Sequence, residues 1–307
     1  MYLPNRKPRW KIALAFGAVY IVWGSTYLTI AIALRSFPPF TLAGIRFLTA
    51  GVLFLGFCKM NGERLPSSRA MLQISFTGVL LLFFGTGSVI WVEQNLNSSF
   101  TSLIWATLPI WCTLLDRGKR LRESIGLPGL VGLVTGFIGT LILLFDQDFL
   151  FTVNHTHNNL LSLIIALGGT IIYAAGSMHM KNKPTGAPPH TTAAIQLIAA
   201  GLLSIMISCL TGEPKQVTWS EVSSDSILSL IYLITMGSMM AYLSYVWLIS
   251  KISPAIVGTY TYVNPVIAIM LGWLVAHETI SFQQILALLI ISSGVFLMNL
   301  YKLNLKS

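Results

Sequence analysis

SFPPFTLAGIRFLTAGVLFL (residues 36–55) and GAPPHTTAAIQLIAAGLLSI (186–205) align without a gap. They share Pro38/Pro188, Pro39/Pro189, Thr41/Thr191, Ala43/Ala193, Ile45/Ile195, Ala50/Ala200, Gly51/Gly201 and Leu53/Leu203. Working outward, Gly24-Ser25 matches Gly176-Ser177, and Ser88, Trp91 and Pro109 fall on Ser244, Trp247 and Pro265 at one constant offset. Gly139 and Gly294 continue the correspondence. Self-similarity at a fixed spacing marks a duplicated structural unit, and the unit here is long: residues 1–145 form one copy and 159–301 the other.

Each copy is mostly apolar. The chain of 307 residues is 54% hydrophobic and 9% charged, with a mean hydropathy of +0.74, against about 25% charged in soluble domains. Runs of bilayer-crossing length, roughly 17–25 residues, fall near 12–34, 40–58, 71–93, 98–115 and 126–145, then 159–180, 191–210, 227–249, 254–275 and 283–301. The expected fold is therefore an all-α polytopic membrane protein of ten transmembrane helices. The first run is too long for the apolar core of a signal peptide, about 7–15 residues, and reads as a helix that stays.

The net charge of +9 does not mark a nucleic-acid binder, because its carriers sit in short connections. Of the nineteen basic residues, all but Arg35, Arg46 and Lys215 precede the first run, lie in alternate connections counted from it, or follow the last run. By the positive-inside rule that face, with both termini, is cytoplasmic. Five helices per copy is an odd number, so the second copy enters the membrane from the opposite face. Two inverted five-helix repeats are the layout of secondary transporters, whose substrate binds near the midplane between the repeats.

Candidate site residues follow from depth. An ionisable group inside hydrocarbon is costly unless paired or wetted. Among the ten acids only Glu93 comes within a turn of the membrane interior, which makes it the candidate for proton coupling beside a plain interfacial role. Arg46 lies six residues into the second helix, about 9 Å deep at 1.5 Å per residue. Two roles stay open for it: meeting a substrate carboxylate, or pairing with Glu93. Its counterpart in the other copy is Gln196, so the shared scaffold does not require the charge.

Trp23 and Tyr27 recur at helical spacing, and Trp105, Tyr242, Tyr245, Tyr260 and Asn264 fall near helix middles. There they suit an amphipathic ligand held by stacking and a few hydrogen bonds, with helix packing as the alternative. Aromatics near the ends, such as Trp10 and Trp219, fit the interfacial belt. Pro109 and Pro265 each remove a helix hydrogen bond and are expected to break their helices beside the cavity. Cys58, Cys112 and Cys209 have no metal-ligand or redox spacing, and no metal or cofactor is expected. The chain carries no HExxH motif and no paired intramembrane aspartates, so an intramembrane enzyme is disfavoured.

WGSTYLTI (23–30), PPFTLAGIRFLTAG (38–51), GSVIWVEQNLNSSFTSLIWATLPIW (87–111) and ISPAIVGTYTYVNPVIAIMLGWLVAHETIS (252–281) resemble the EamA-type drug/metabolite transporter superfamily, most closely its YedA-like branch. The resemblance covers nearly the whole chain. It implies ten helices around a central cavity in a bacterial inner membrane, and export of an amino acid or related metabolite. Alternatives are an uptake permease or exchanger for a nucleoside-like or cofactor metabolite, and a membrane receptor or scaffold without transport. The expected partners are a small-molecule substrate and membrane lipids, not nucleic acid, with the chain a monomer or homodimer.

Overall fold

The Pro-Pro pairs that open the two aligned stretches start helices in the computed structural model. Pro38 and Pro188 are extended at ψ 155° and 150°, and the helices begin on Pro39 and Pro189, where a missing N–H costs nothing and the fixed φ is already helical. The structure describes residues 9–96, 98–115, 120–144, 157–276 and 282–304. The expected ends of the first copy, 1–8 and 145, lie outside them.

In chain order the helices are α1 (Arg9–Ala33), α2 (Pro39–Met60), α3 (Ser68–Val92), α4 (Ser98–Trp105), α5 (Leu108–Leu115), α6 (Arg120–Leu144), α7 (His157–Asn182), α8 (Pro189–Thr211), α9 (Ser224–Lys251), α10 (Pro254–Val257), α11 (Tyr260–Ala276) and α12 (Phe282–Asn304). No strand occurs among the described residues. Among the described residues six helices, α1, α2, α3, α7, α8 and α9, are long and apolar enough to cross a membrane. With its 25 residues, α1 measures about 37 Å at 1.5 Å per residue, enough for a hydrocarbon layer of about 30 Å. Leu14, Ile21, Leu72, Leu202 and Leu228 are each more than half exposed. A soluble protein would hide so large an apolar surface, whereas lipid solvates it. The chain is a multi-pass membrane protein.

Two helix pairs carry the packing, and glycine sets both. A Cβ on Gly51 would lie 2.7 Å from Ile198, and one on Gly201 would lie 2.6 Å from the Leu48 amide nitrogen. Residues 48 and 51 of α2 thus meet 198 and 201 of α8 reciprocally. Likewise a Cβ on Gly139 of α6 would lie 2.8 Å from Ile291, and one on Gly294 of α12 would lie 2.5 Å from the Gly136 nitrogen. Small residues let helix backbones approach closely where lipid gives no hydrophobic drive for association.

Several of the remaining helices are distorted or interrupted. Both α3 and α9 pass through π-helical turns, at Val79–Thr86 and Leu233–Ala241, a distortion frequent at functional sites. The chain between α4 and α5 turns at Ala106–Thr107, just before Pro109, which is the second residue of α5. A break beside Pro109 is therefore present. Pro265 is different: it lies inside α11, and the interruption falls earlier, at Gly258–Thr259. There the backbone switches to three-residue bonds, Thr261 N to Gly258 O (3.0 Å) and Tyr262 N to Thr259 O (3.1 Å). The hydroxyls of Thr259 and Thr261 donate to the carbonyls of Ile256 and Gly258, and such back-bonding bends helices. Glycine plus two threonines moves the break upstream of the proline.

Candidate functional site

One face of α1 carries Tyr20, Trp23 and Tyr27, one turn apart. The Tyr20 and Thr259 hydroxyls lie 2.7 Å apart, fastening α1 to the interruption before α11. The Trp23 indole N–H donates to the Gly237 carbonyl at 3.2 Å, within the π-helical segment of α9. Its ring meets Tyr245 at 5.2 Å and Tyr260 at 4.7 Å between centroids. Tyr245 continues to Tyr173 (5.5 Å) and to Tyr242 (6.2 Å, stacked), and Tyr173 to Trp105 (5.2 Å, edge-on). Such pairs contribute about 0.5–1.5 kcal/mol each beyond their burial, so this ring cluster is a rigid wall.

The wall bounds a cavity of about 40 Å³ lined by Trp23, Thr26, Tyr27, Ile30, Arg46, Thr86, Val89, Trp105, Tyr173, Tyr260 and Asn264. Trp23 is 14 residues from Arg9, about 21 Å along α1, so the cavity lies deep between the ends. Several polar groups in its lining are buried and, among the described residues, without a hydrogen-bond partner: Arg46 Nη1, Trp105 Nε1, the Tyr173 hydroxyl, and both amide atoms of Asn264. Each would cost about 1–3 kcal/mol if it stayed unsatisfied. A water needs about 10–15 Å³, so two or three waters fit, whereas small-molecule sites run to about 300–1,000 Å³. The cavity is polar, unsatisfied and contracted.

Arg46 is 3% exposed. Its Nε donates to Ser238 Oγ at 2.8 Å, and its guanidinium carbon lies 5.3 Å from the Phe47 ring. The pairing with Glu93, one of its two expected roles, is not made: both Glu93 carboxylate oxygens are buried without a partner among the described residues. The reason is Gly237. A Cβ there would lie 2.8 Å from Arg46 Nη2, so the guanidinium occupies the space of the missing side chain and stays against α9. Glu93 follows Val89 by one turn, just past the end of α3, and a carboxylate without donors is an expensive thing to bury.

The structure thus brings Trp23, Tyr27, Arg46, Trp105, Tyr260 and Asn264 around one cavity. Tyr245 belongs to the ring cluster without lining the cavity, its hydroxyl 2.6 Å from Ser177 Oγ. Tyr242 turns away and donates to Gln196 Oε1 at 2.9 Å, while Gln196 Nε2 donates to Thr77 Oγ1 at 2.9 Å. Tyr173, Thr26 and Thr86 were not among the candidates. Tyr173 carries the signal used for Tyr242, a tyrosine near the middle of an apolar run, and stands three residues before Gly176-Ser177.

Beyond the Tyr242–Gln196–Thr77 chain lies a larger cavity, about 450 Å³, at the end that carries the basic connections. Gln73, Thr77, Met180, Thr192 and Val246 line it, with Lys181, Lys183 and Lys251 at its rim. Thr77 belongs to both the chain and this vestibule.

The sequence profile of the EamA-like transporter family matches residues 9–145 and again 160–300. An uncharacterized inner membrane transporter of Escherichia coli, YedA, is 34% identical over 299 residues, covering 94% of this chain and 90% of its own. An uncharacterized transporter of Bacillus subtilis, YoaV, is 22% identical, covering 94% and 96%. A crystal structure of a protein 18% identical superposes with a TM-score of 0.73 over 94% of this chain and 97% of that one, a likeness of fold.

Proposed function

Because the chain belongs to the EamA-like transporter family, we propose that it is a secondary transporter moving a small amphipathic metabolite with a carboxylate, an amino acid or close relative, by alternating access. The observation that carries this reading is the set of unsatisfied donors and acceptors converging on an aromatic cavity. Arg46 Nη1 meets the carboxylate, the Asn264 amide and Trp105 indole take further polar atoms, and Trp23, Tyr27 and Tyr260 cover the apolar part. Glu93 receives the ammonium end of the substrate or a coupling proton. The contracted volume is that of a closed intermediate, and binding requires the walls to part.

The motion is a rocking of two inverted five-helix repeats, residues 1–145 and 159–301. The reciprocal contacts of α2 with α8 and of α6 with α12 support a two-fold relation in the membrane plane. So do the π-helical turns at corresponding places in α3 and α9. In ten-helix form the interrupted segments α4–α5 and α10–α11 each count as one crossing. The basic end faces the cytoplasm of a bacterial inner membrane. The lysine-rimmed vestibule there concentrates anionic solutes, which favours export, with Tyr242–Gln196–Thr77 as the inner gate.

A thermal-shift screen of the detergent-solubilised protein against amino acids, nucleosides and vitamins, with counterflow on every hit, tests the substrate class. Stabilisation by amphipathic carboxylates but not by their esters is the expected result. Hits confined to nucleosides or cations would refute the assignment.

A further inference from the structure

Both ends of the α2–α8 pair are closed by the same device. At one end the Glu213 carboxylate accepts from Phe40 N (3.3 Å), Thr41 N (2.7 Å) and Thr41 Oγ1 (3.1 Å), and Ser208 Oγ lies 2.6 Å from Thr41 Oγ1. This carboxylate binds the free amides at the start of α2, where charge and helix dipole agree. At the other end Glu63 accepts from Thr191 Oγ1 at 2.8 Å, and Cys58 Sγ lies 3.8 Å from that hydroxyl. In the register that places Pro38 on Pro188, Glu63 corresponds to Glu213, Thr191 to Thr41, Cys58 to Ser208 and His190 to Phe40.

The clamp at the Glu213 end works with a serine and a phenylalanine. Its twin replaces both, and both replacements are metal-binding types. His190 Nε2 contacts Glu63 Oε1, and the ligand atoms of Cys58, Glu63 and His190 all lie within 4.8 Å of one another. We propose that these three residues form a site for a thiophilic divalent cation, best matched by Zn²⁺, joining the end of α2 to the start of α8.

The chemistry fits on three counts. Zn²⁺ takes thiolate at about 2.3 Å and imidazole or carboxylate at about 2.0–2.2 Å in a tetrahedron. Three ligands already this close need only side-chain rotation to reach it, leaving the fourth position to solvent. One thiolate and one carboxylate balance the charge of the ion. Mg²⁺ and Ca²⁺ prefer all-oxygen sets and reject the sulfur. Access also fits: the Glu63 and His190 side chains are 24% and 28% exposed, above a Cys58 that is 1% exposed. The ion enters past carboxylate and imidazole and meets the thiol at the floor. Pro188, Pro189 and Thr192 line the neighbouring vestibule, so the ion would fix one of its edges.

Co²⁺ titration of tag-free, full-length protein in detergent tests the site, since thiolate coordination gives cobalt a sulfur-to-metal charge-transfer band. One Co²⁺ per chain with that band is expected, displaced by Zn²⁺ and not by Mg²⁺. Cys58→Ser should abolish the band, and His190→Phe should weaken binding at least about tenfold. Both variants recreate residues that the twin clamp already uses, so folding should survive, as elution as a single species would verify. Cys209→Ser, at the exposed thiol, should leave the band intact. No band in the unmodified protein, a band that persists in Cys58→Ser, or one lost in Cys209→Ser would each overturn the proposal.

Discussion

Arg46→Gln is the most informative substitution at the deep cavity, because glutamine occupies the equivalent place in the second copy and packs there without strain. The change removes the guanidinium that aims Nη1 into the cavity and donates Nε to Ser238. A hydrogen bond to a charged group contributes about 1.5–3 kcal/mol, and each 1.36 kcal/mol is about a factor of ten. The apparent affinity for a carboxylate substrate should therefore fall roughly 10- to 150-fold. Losing the charged bond to Ser238 costs about 1.5–3 kcal/mol, while removing a buried unpaired charge relieves a desolvation penalty of several kcal/mol, so the variant should be at least as stable as the unmodified protein. The assay is counterflow in proteoliposomes with a carboxylate substrate and its methyl ester. The variant should lose affinity for the acid and keep whatever affinity the ester has. Equal losses for acid and ester, or an acid affinity within about threefold of the unmodified protein, would refute a carboxylate at Arg46.

Three further outcomes are expected. Asn264→Ala and Tyr260→Ala should each lower transport about 5- to 150-fold, at about 1–3 kcal/mol per lost contact, with retention of the folded monodisperse protein as the control; unchanged counterflow would place the substrate elsewhere. Tyr242→Phe strands Gln196 Oε1 and should loosen the inner gate by about 1–2 kcal/mol. A cysteine introduced at Thr26 would then react roughly 5- to 30-fold faster with a hydrophilic maleimide applied from the basic side. Gly201→Ala places a methyl 2.6 Å from the Leu48 amide nitrogen and should destabilise by about 1–3 kcal/mol. Gly17→Ala, with nothing within 4 Å, should not lower the unfolding temperature and should gain up to about 1 kcal/mol of helix propensity.

The helices were legible because lipid makes their signal strong: long apolar runs bounded by charge, with Pro38-Pro39 and Pro188-Pro189 marking matched starts. Part of the cavity wall was legible on α1 alone, since Trp23 and Tyr27 obey the helical period. Three features were not. The interruption before α11 depends on threonine hydroxyls competing for backbone carbonyls, a local contest that the more visible Pro265 obscures. The orientation of Arg46 depends on an absence, the side chain that Gly237 lacks across the interface. The Cys58–Glu63–His190 cluster joins residues from two helices, with Glu63 and His190 127 positions apart, so no spacing rule reaches it. Only the antiparallel meeting of α2 and α8 brings the two ends together.

Counterflow of labelled amino acids and related carboxylates through the unmodified protein and Asn264→Ala, side by side in liposomes, tests the central claim most directly. Saturable flux of at least one amphipathic carboxylate, lost in the variant, is the predicted result. Absence of flux across the whole panel, or flux that survives intact in Asn264→Ala, would contradict transport through the deep cavity.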